Sequence, residues 1–495
     1  MRNMSKLGGL LGVLAFGALP VYACSSTPDP VATDGGADAP VVTPEAAPPK
    51  VDGGRPDGAR DAGPPPGPNC GAAVELALNT EKEETFTSVG QSIYFKVPVK
   101  GGDFLIINAA TDATEQGERG DVVDTAISVF DTAGTKLLAA IDDNFPRTGT
   151  DASLVYRSPV DTTLCIQVTD FDTWNGKPAV LAKDSTFKFV TATFDPNSTA
   201  LNVDAEPNDT NATAQTGKSR AGTTPPSAFG FINGFLKDGT DVDTFKFTVP
   251  TGATSMSVDI PPIGAPLVPA TSTYGSTMPR FTATVSKLDG TIVSQIVPPA
   301  GAVDKTSDSL SLPVEPGDYY LTIGRPAGVA AGANDFYSTT IFFGTGNPAE
   351  NETTSGTNDT LATAQALTLE ADPTVPKQTR AFLAGKLPAG DVADSFSFPV
   401  AAGDSVSLAC GAGRNGSGLQ AFKVELFVNG VSAQSDTETA TADLFWSSAT
   451  GVTTATKPAV VAAAAGTAVV QFSAGSRSTT NTGAYYLCGV RVTKP

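Results

Sequence analysis

The chain has 495 residues, no histidine and a formal net charge of −19. The missing histidine excludes Ser-His-Asp triads, Cys-His nucleophiles and His-ligated zinc hydrolase sites, and the acidic balance lacks the basic footprint that a nucleic acid requires. With 50 glycines, 38 prolines and only 17% charged residues, short strands joined by turns are favoured, in a length that suits roughly three domains. Carboxylate-pair or Ser-Lys chemistry survives this cut. An acidic surface also suits a soluble extracytoplasmic protein or one that handles divalent cations.

Residues 1–23 read as a leader. Arg2 and Lys6 precede "LGGLLGVLAFGALPVYA", an apolar run too short and glycine-rich for a comfortable membrane span. The run ends in "VYAC", which resembles a bacterial lipobox; the resemblance implies cleavage before Cys24 and a diacylglycerol on its thiol. An ordinary secretory leader cleaved after Ala23 is the alternative. Several acyl chains together anchor firmly where one does not. Ser25, where an Asp would imply inner-membrane retention, points by similarity to Gram-negative lipoproteins to the outer membrane, on its periplasmic or cell-surface face.

Residues 24–69 form the next segment. From Ser25 onward it has no aromatic residue, no Leu and no Ile, so it cannot bury enough apolar surface to offset ordering entropy. It reads as a disordered tether spanning on the order of 35–40 Å as a flexible coil. Beyond it lie Cys70, Cys165, Cys410 and Cys488. Export to an oxidising space makes Cys70–Cys165 and Cys410–Cys488 the natural pairs, and no CxxC supports zinc.

Three stretches then repeat one pattern. "SIYFKVPVKGGDFLIINAA" from Ser92, "DTFKFTVPTGATSMSVDI" from Asp243 and "DSFSFPVAAGDSVSLAC" from Asp394 alternate apolar and polar residues around a turn, which predicts paired strands with one buried face. Each is followed by a hairpin, "AISVFDTAGTKLLAA", "FTATVSKLDGTIVSQ" and "FKVELFVNGVSAQS", whose turns hold Ala-Gly, Asp-Gly or Asn-Gly. Closing strands follow in "STFKFVTATF", "DFYSTTIFFG" and "GAYYLCGVRV". The expected fold is all-β, with three tandem antiparallel jelly-roll-like β-sandwiches at residues 70–197, 198–346 and 347–495.

Two of the three open on one phrase, "AEPNDTNATAQ" at 205–215 and "GTNDTLATAQAL" at 356–367. With Asp-x-Asp-x-Phe-x-Phe and Pro-Gly-Asp-Tyr-Tyr-Leu after it, the second unit resembles the bacterial pre-peptidase C-terminal domain, a family similar to the collagen-binding domains of clostridial collagenases. The third keeps "TNDTLATAQ" but has Gly356 at the motif glutamate; the first lacks the phrase and has Ser92 at the acidic position. The resemblance implies a jelly-roll-like sandwich and Ca²⁺ held by Glu206, Asn208, Asp241 and Asp243, whose oxygens suit that ion. In the third unit Asn358 and Asp394 match, and Glu350 or Glu352 would substitute for the missing carboxylate only by another chain path. The same residues as turn-formers and caps are the alternative. A bound Ca²⁺ would stiffen the hinge between the first and second units.

For catalysis the acidic runs "EKEE" at 81–84, "IDDNF" at 141–145 and "TDFDTW" at 169–174 are candidates for paired carboxylates, against a reading as solvated loops. Trp174 is a candidate stacking platform for a sugar or peptide, while Trp446 reads as core. The expected function is non-enzymatic: a lipid-anchored surface protein whose sandwiches bind a polysaccharide, peptidoglycan or a protein. The family's company implies an accessory to secreted peptidases as the alternative, and a carboxylate-dependent glycoside hydrolase is the third.

Overall fold

The computed structural model describes residues 69–111, 122–142, 151–177, 179–195, 197–222, 226–261, 263–264, 274–297, 308–345, 357–372, 375–439, 444–447 and 455–495. The leader, Cys24, the tether up to Pro68, Glu350, Glu352 and Gly356 lie outside them. Among the described residues no helix is long and apolar enough to cross a membrane.

Strands alternate as the sequence predicts. Ser255–Ile260 buries Met256, Val258 and Ile260 and turns the residues between them outward, because successive side chains leave opposite faces of a strand. In the second unit one sheet runs Gln215–Thr216, Val242–Thr248, Asp318–Gly324, Thr282–Lys287, Ile292–Ile296 in spatial order. The other runs Leu201–Val203, Ala228–Phe235, Phe336–Gly344, Ser255–Ile260, Asp308–Pro313.

The other two units repeat this order. The first sets Val74–Glu75, Ser92–Val99, Thr162–Asp170, Thr125–Phe130, Leu137–Ile141 against Thr80–Thr85, Thr186–Thr193, Phe104–Ala110, Ala152–Arg157. The third sets Gln365–Ala366, Asp394–Val400, Gly466–Ser473, Lys423–Val428, Val431–Thr437 against a sheet containing Gln378–Lys386, Tyr485–Thr493, Ser405–Gly411 and Leu444–Ser447. Aromatic rings close the space between the sheets of each pair: Phe95 stacks on Phe189 at 4.1 Å, Phe247 meets Phe343 at 6.2 Å, and Phe472 stacks on Tyr486 at 4.6 Å. The molecule is therefore built of β-sandwiches, and all three predicted hairpins form.

The sheets are antiparallel-rich, as expected, and Val74–Glu75, Gln215–Thr216 and Gln365–Ala366 each add a two-residue parallel strand at an edge; runs this short carry no periodic signal. One expectation needs correction. The acidic run at 81–84 is not a loop: it belongs to Thr80–Thr85, which pairs with the phenylalanine-bearing strand Thr186–Thr193 and leaves Glu81 and Glu83 exposed and Glu84 half-buried. Likewise Asp170 caps the single helical turn Phe171–Trp174, accepting from the amides of Asp172 and Thr173.

Both disulfides join the expected partners, Cys70 to Cys165 and Cys410 to Cys488. The second links residues directly opposite each other in neighbouring strands.

Candidate metal centre

The repeated phrase places a loop against the start of a core strand. After Leu201–Val203 the chain turns at Asp204–Asp209, and the Asn208 carbonyl accepts from the Thr244 amide at 3.0 Å. Thr210 and Thr213 close the next turn through their hydroxyls at 2.8 Å. Gln215 then pins the incoming chain: its Oε1 accepts from the Ala205 amide and its Nε2 donates to the Val203 carbonyl. The third unit repeats these contacts, with Asn358 accepting from the Ser395 amide at 2.9 Å and Thr360 meeting Thr363 at 2.9 Å. The phrase is thus a turn-and-edge-strand device in both copies.

Among the described residues, only the second copy adds a converging set of carboxylates. Oxygens of Glu206, Asp209 and Asp241 lie within 4.8 Å of one another, Asp241 being buried. Asn208 is also fully buried; its Nδ2 donates to Asp204, while no donor reaches its Oδ1. Asp241 Oδ1 likewise accepts no hydrogen bond. Leaving such oxygens unpaired in the interior costs free energy that a bound cation would offset. The donors are all oxygen, which fits a hard cation such as Ca²⁺ and not a thiolate- or imidazole-seeking metal. Lys237 already provides one positive charge: its ammonium pairs with Glu206 and lies 3.8 Å from Asp241 Oδ1. The contact with Glu206 raises its pKa.

Of the four ligands implied by the sequence, Glu206 and Asp241 meet in the carboxylate trio, Asn208 is tied to Glu206 through its amide at 3.2 Å, and Asp243 stands outside the trio, although its Oδ1 also accepts no hydrogen bond. It lies in the core, where its Oδ2 accepts from the Tyr337 hydroxyl at 2.6 Å. Burial first, and then the facing Asp204 carboxyl, push Asp243 up to about 8; Asp204 is raised as well, chiefly by burial. Asp209, not singled out from the sequence, takes the remaining place. Its signal was available, since it belongs to the repeated Asn-Asp-Thr.

In the third unit Asp394 is buried and accepts from Tyr486 at 2.8 Å, matching Asp243 and Tyr337. Asn358 is buried as well, but among the described residues no trio of carboxylates gathers beside it. In the first unit Ser92 accepts from Gln167 at 2.8 Å. Trp174 is half-buried, and its indole N–H donates to Ser128 at 3.1 Å, so one edge of the ring is held by the sheet. Trp446 is fully buried, as expected.

No family model matches the chain, and no curated protein does. Among solved structures it is similar to the pre-peptidase C-terminal domain of collagenase from Bacillus anthracis, at 13% identity and a TM-score of 0.17, over 24% of this chain and 93% of that one. It is also similar to the tandem CBM51 modules of a family 98 glycoside hydrolase from Streptococcus pneumoniae, at 10% identity and a TM-score of 0.14, over 54% and 84%. A third likeness is to the CUB1-EGF-CUB2 domains of rat MASP-1, at 9% identity and a TM-score of 0.16, over 54% and 99%. Scores of this size fix neither ligand nor activity.

Proposed function

We propose that this is a non-enzymatic, lipid-anchored surface protein that displays three β-sandwich modules on a flexible tether, with Ca²⁺ stabilising the second. The anchor rests on the "VYAC" sequence around Cys24, and Ser25 after it, where an Asp would imply inner-membrane retention, supports the outer membrane of a Gram-negative cell as its address. The display reading is supported by the described chain's regular structure, which is almost entirely strand. The observation that carries the cation is the set of buried oxygens without donors, Asn208 Oδ1, Asp241 Oδ1 and Asp243 Oδ1, in the segments that bring Asp241 together with the Glu206 and Asp209 carboxylates. Glu206, Asn208, Asp209 and Asp241 would hold the ion, which would fasten the Asp204–Asp209 loop onto the sandwich. The ligand of the displayed modules would be a polysaccharide, peptidoglycan or a protein.

Calorimetric titration of the lipid-free chain with CaCl₂ tests the site. One bound ion per chain is expected, together with a higher melting temperature in calcium than in EDTA. Identical melting curves in the two buffers would remove calcium from the reading. Pull-downs on peptidoglycan and polysaccharide, with calcium present, test the displayed surface; retention on neither would leave protein as the ligand class.

A further inference from the structure

The three sandwiches are joined by one docking mode, used twice. Equivalent positions can be matched through a shared backbone bond: the amides of Phe86, Leu236 and Leu387 donate to the carbonyls of Ser185, Asp335 and Ala484 in the first, second and third units. The residue after each of those carbonyls opens the last long strand of its unit; it is Thr186, Phe336 and Tyr485.

Phe336 of the second unit packs edge-on against Phe104 at 6.0 Å and Tyr156 at 6.5 Å of the first. Tyr485 of the third sits at the same place on the second, buried, with its hydroxyl 2.8 Å from Ser294 Oγ. Each docking unit also presses a left-handed glycine onto the outer strand of its predecessor. Gly275, at φ +84°, faces Leu138 and Ala139 of Leu137–Ile141; Gly416, at φ +88°, faces Ser294 and Gln295 of Ile292–Ile296. At the second junction the Gln295 amide donates to the Gly416 carbonyl at 2.8 Å and the Thr482 amide donates to Ile292 at 3.0 Å. Gly483 is held so closely to Val293 that a Cβ would overlap its carbonyl. Edge strands with unpaired backbone invite another chain; here each is sealed by the next unit.

Both ends of the series differ from its joints. At the upstream end the docking aromatic is replaced by Thr186, which is half-buried and shares a hydroxyl contact of 3.1 Å with Thr85. At the downstream end the third unit engages the middle of its own edge strand, Val431–Thr437, whose Val431 stays exposed. Lys457 donates to the Ser435 carbonyl, Gln434 to the Pro458 carbonyl at 2.8 Å, and the buried Trp446 to Asp436 at 3.2 Å. Terminal units with a polar or self-covered outer face are how stacked repeats stop growing.

We infer that the three sandwiches form one stiff, end-capped stack, in which the outer edge of each unit is the docking surface for the next and the third unit's edge is blunted at Gln434–Asp436 by its own Lys457 and Pro458. The stack does not extend through this surface to a second copy of the chain.

Small-angle scattering and calorimetry on the lipid-free chain test this in solution. The native protein is expected to scatter as one elongated rigid body, at a mass that stays monomeric with concentration. The Gly483→Ala variant, which touches only the second junction, is expected to bend or lengthen the particle and to split off a lower melting transition for the third unit. A double variant, Ser294→Ala with Tyr485→Phe, removes the hydroxyl contact between these two residues without adding bulk and should shift both readouts the same way by less; it decides the matter if Gly483→Ala does not fold. Native scattering that only independently moving units can fit would overturn the stack, as would variants that alter neither readout. Concentration-dependent growth of the native particle would overturn the end caps.

Discussion

Tyr337 shows how a single missing side chain shapes the second unit. Gly234 lies opposite it across the sheet, and a Cβ there would overlap its phenolic ring and hydroxyl. That space lets the hydroxyl reach Asp243. Gly385 does the same for Tyr486 and Asp394. Tyr337→Phe leaves Asp243 buried without its donor and is expected to cost about 1–3 kcal/mol in denaturant unfolding. The pH dependence follows from the same residue. Because Asp243 is raised to about 8 in the folded state, from about 3.9 in an unfolded chain, its neutral form is the one that folding favours. Its contribution is therefore undiminished below about pH 4 and is lost as pH rises through that window toward 8. In EDTA, melting temperature should fall across this range, and Asp243→Asn should flatten the slope; equal slopes for both proteins would show that another group sets it. Lys237 belongs to the same scale. Its ammonium competes for the place a divalent ion would take, so Lys237→Gln is expected to tighten calcium binding severalfold in titration calorimetry. Weaker binding would mean that the ammonium organises the carboxylates instead.

Strands and hairpins were the most legible elements, because period-two alternation and Gly-containing turns are local signals. "FTATVSKLDGTIVSQ" becomes two strands around Asp289 and Gly290, the latter at φ +85°. The two-residue parallel edges were not legible, since their partners lie some thirty residues away and their register depends on the turn before them. The candidate site was legible in part for the same reason. Glu206, Asn208 and Asp241 could be named from a motif, but only the folded loop shows that Asp209 points into the cluster while Asp243 turns to Tyr337. Cysteine pairing was legible from distribution along the chain, and each bridge stays within one sandwich. Cys70 sits in a short turn ahead of the first strand, so its link to the core strand Thr162–Asp170 fastens the start of the fold. Replacing Cys70 and Cys165 together with serine is expected to lower stability by about 2–4 kcal/mol. The loss should fall on the first unit's melting transition and spare that of the third.

At the scale of the whole molecule, the junction between the first and second units is built apart from the candidate metal loop. Arg157 donates to Asn334 Oδ1 at 2.9 Å, accepts at its carbonyl from Asn334 Nδ2 at 3.0 Å, and lays its guanidinium 3.9 Å from the centre of the Phe235 ring. Asn334 is presented by a loop that the neighbouring Asp335 holds, through the buried Arg325 and through Thr277. None of these residues belongs to the Glu206, Asp209 and Asp241 cluster. The sequence suggested that a cation would stiffen this hinge; the contacts that cross it are made by Arg157, Asn334 and Phe336 and by none of the candidate metal ligands. Removing calcium and breaking the junction are therefore expected to separate. EDTA should lower the second unit's melting temperature and leave the scattering envelope unchanged. Arg157→Ala should loosen the envelope and leave calcium affinity intact, at a cost of about 1–3 kcal/mol from the lost charge-assisted and ring contacts. An envelope that relaxes on adding EDTA would return the hinge to the cation, and with it the role of the Asp204–Asp209 loop as a joint.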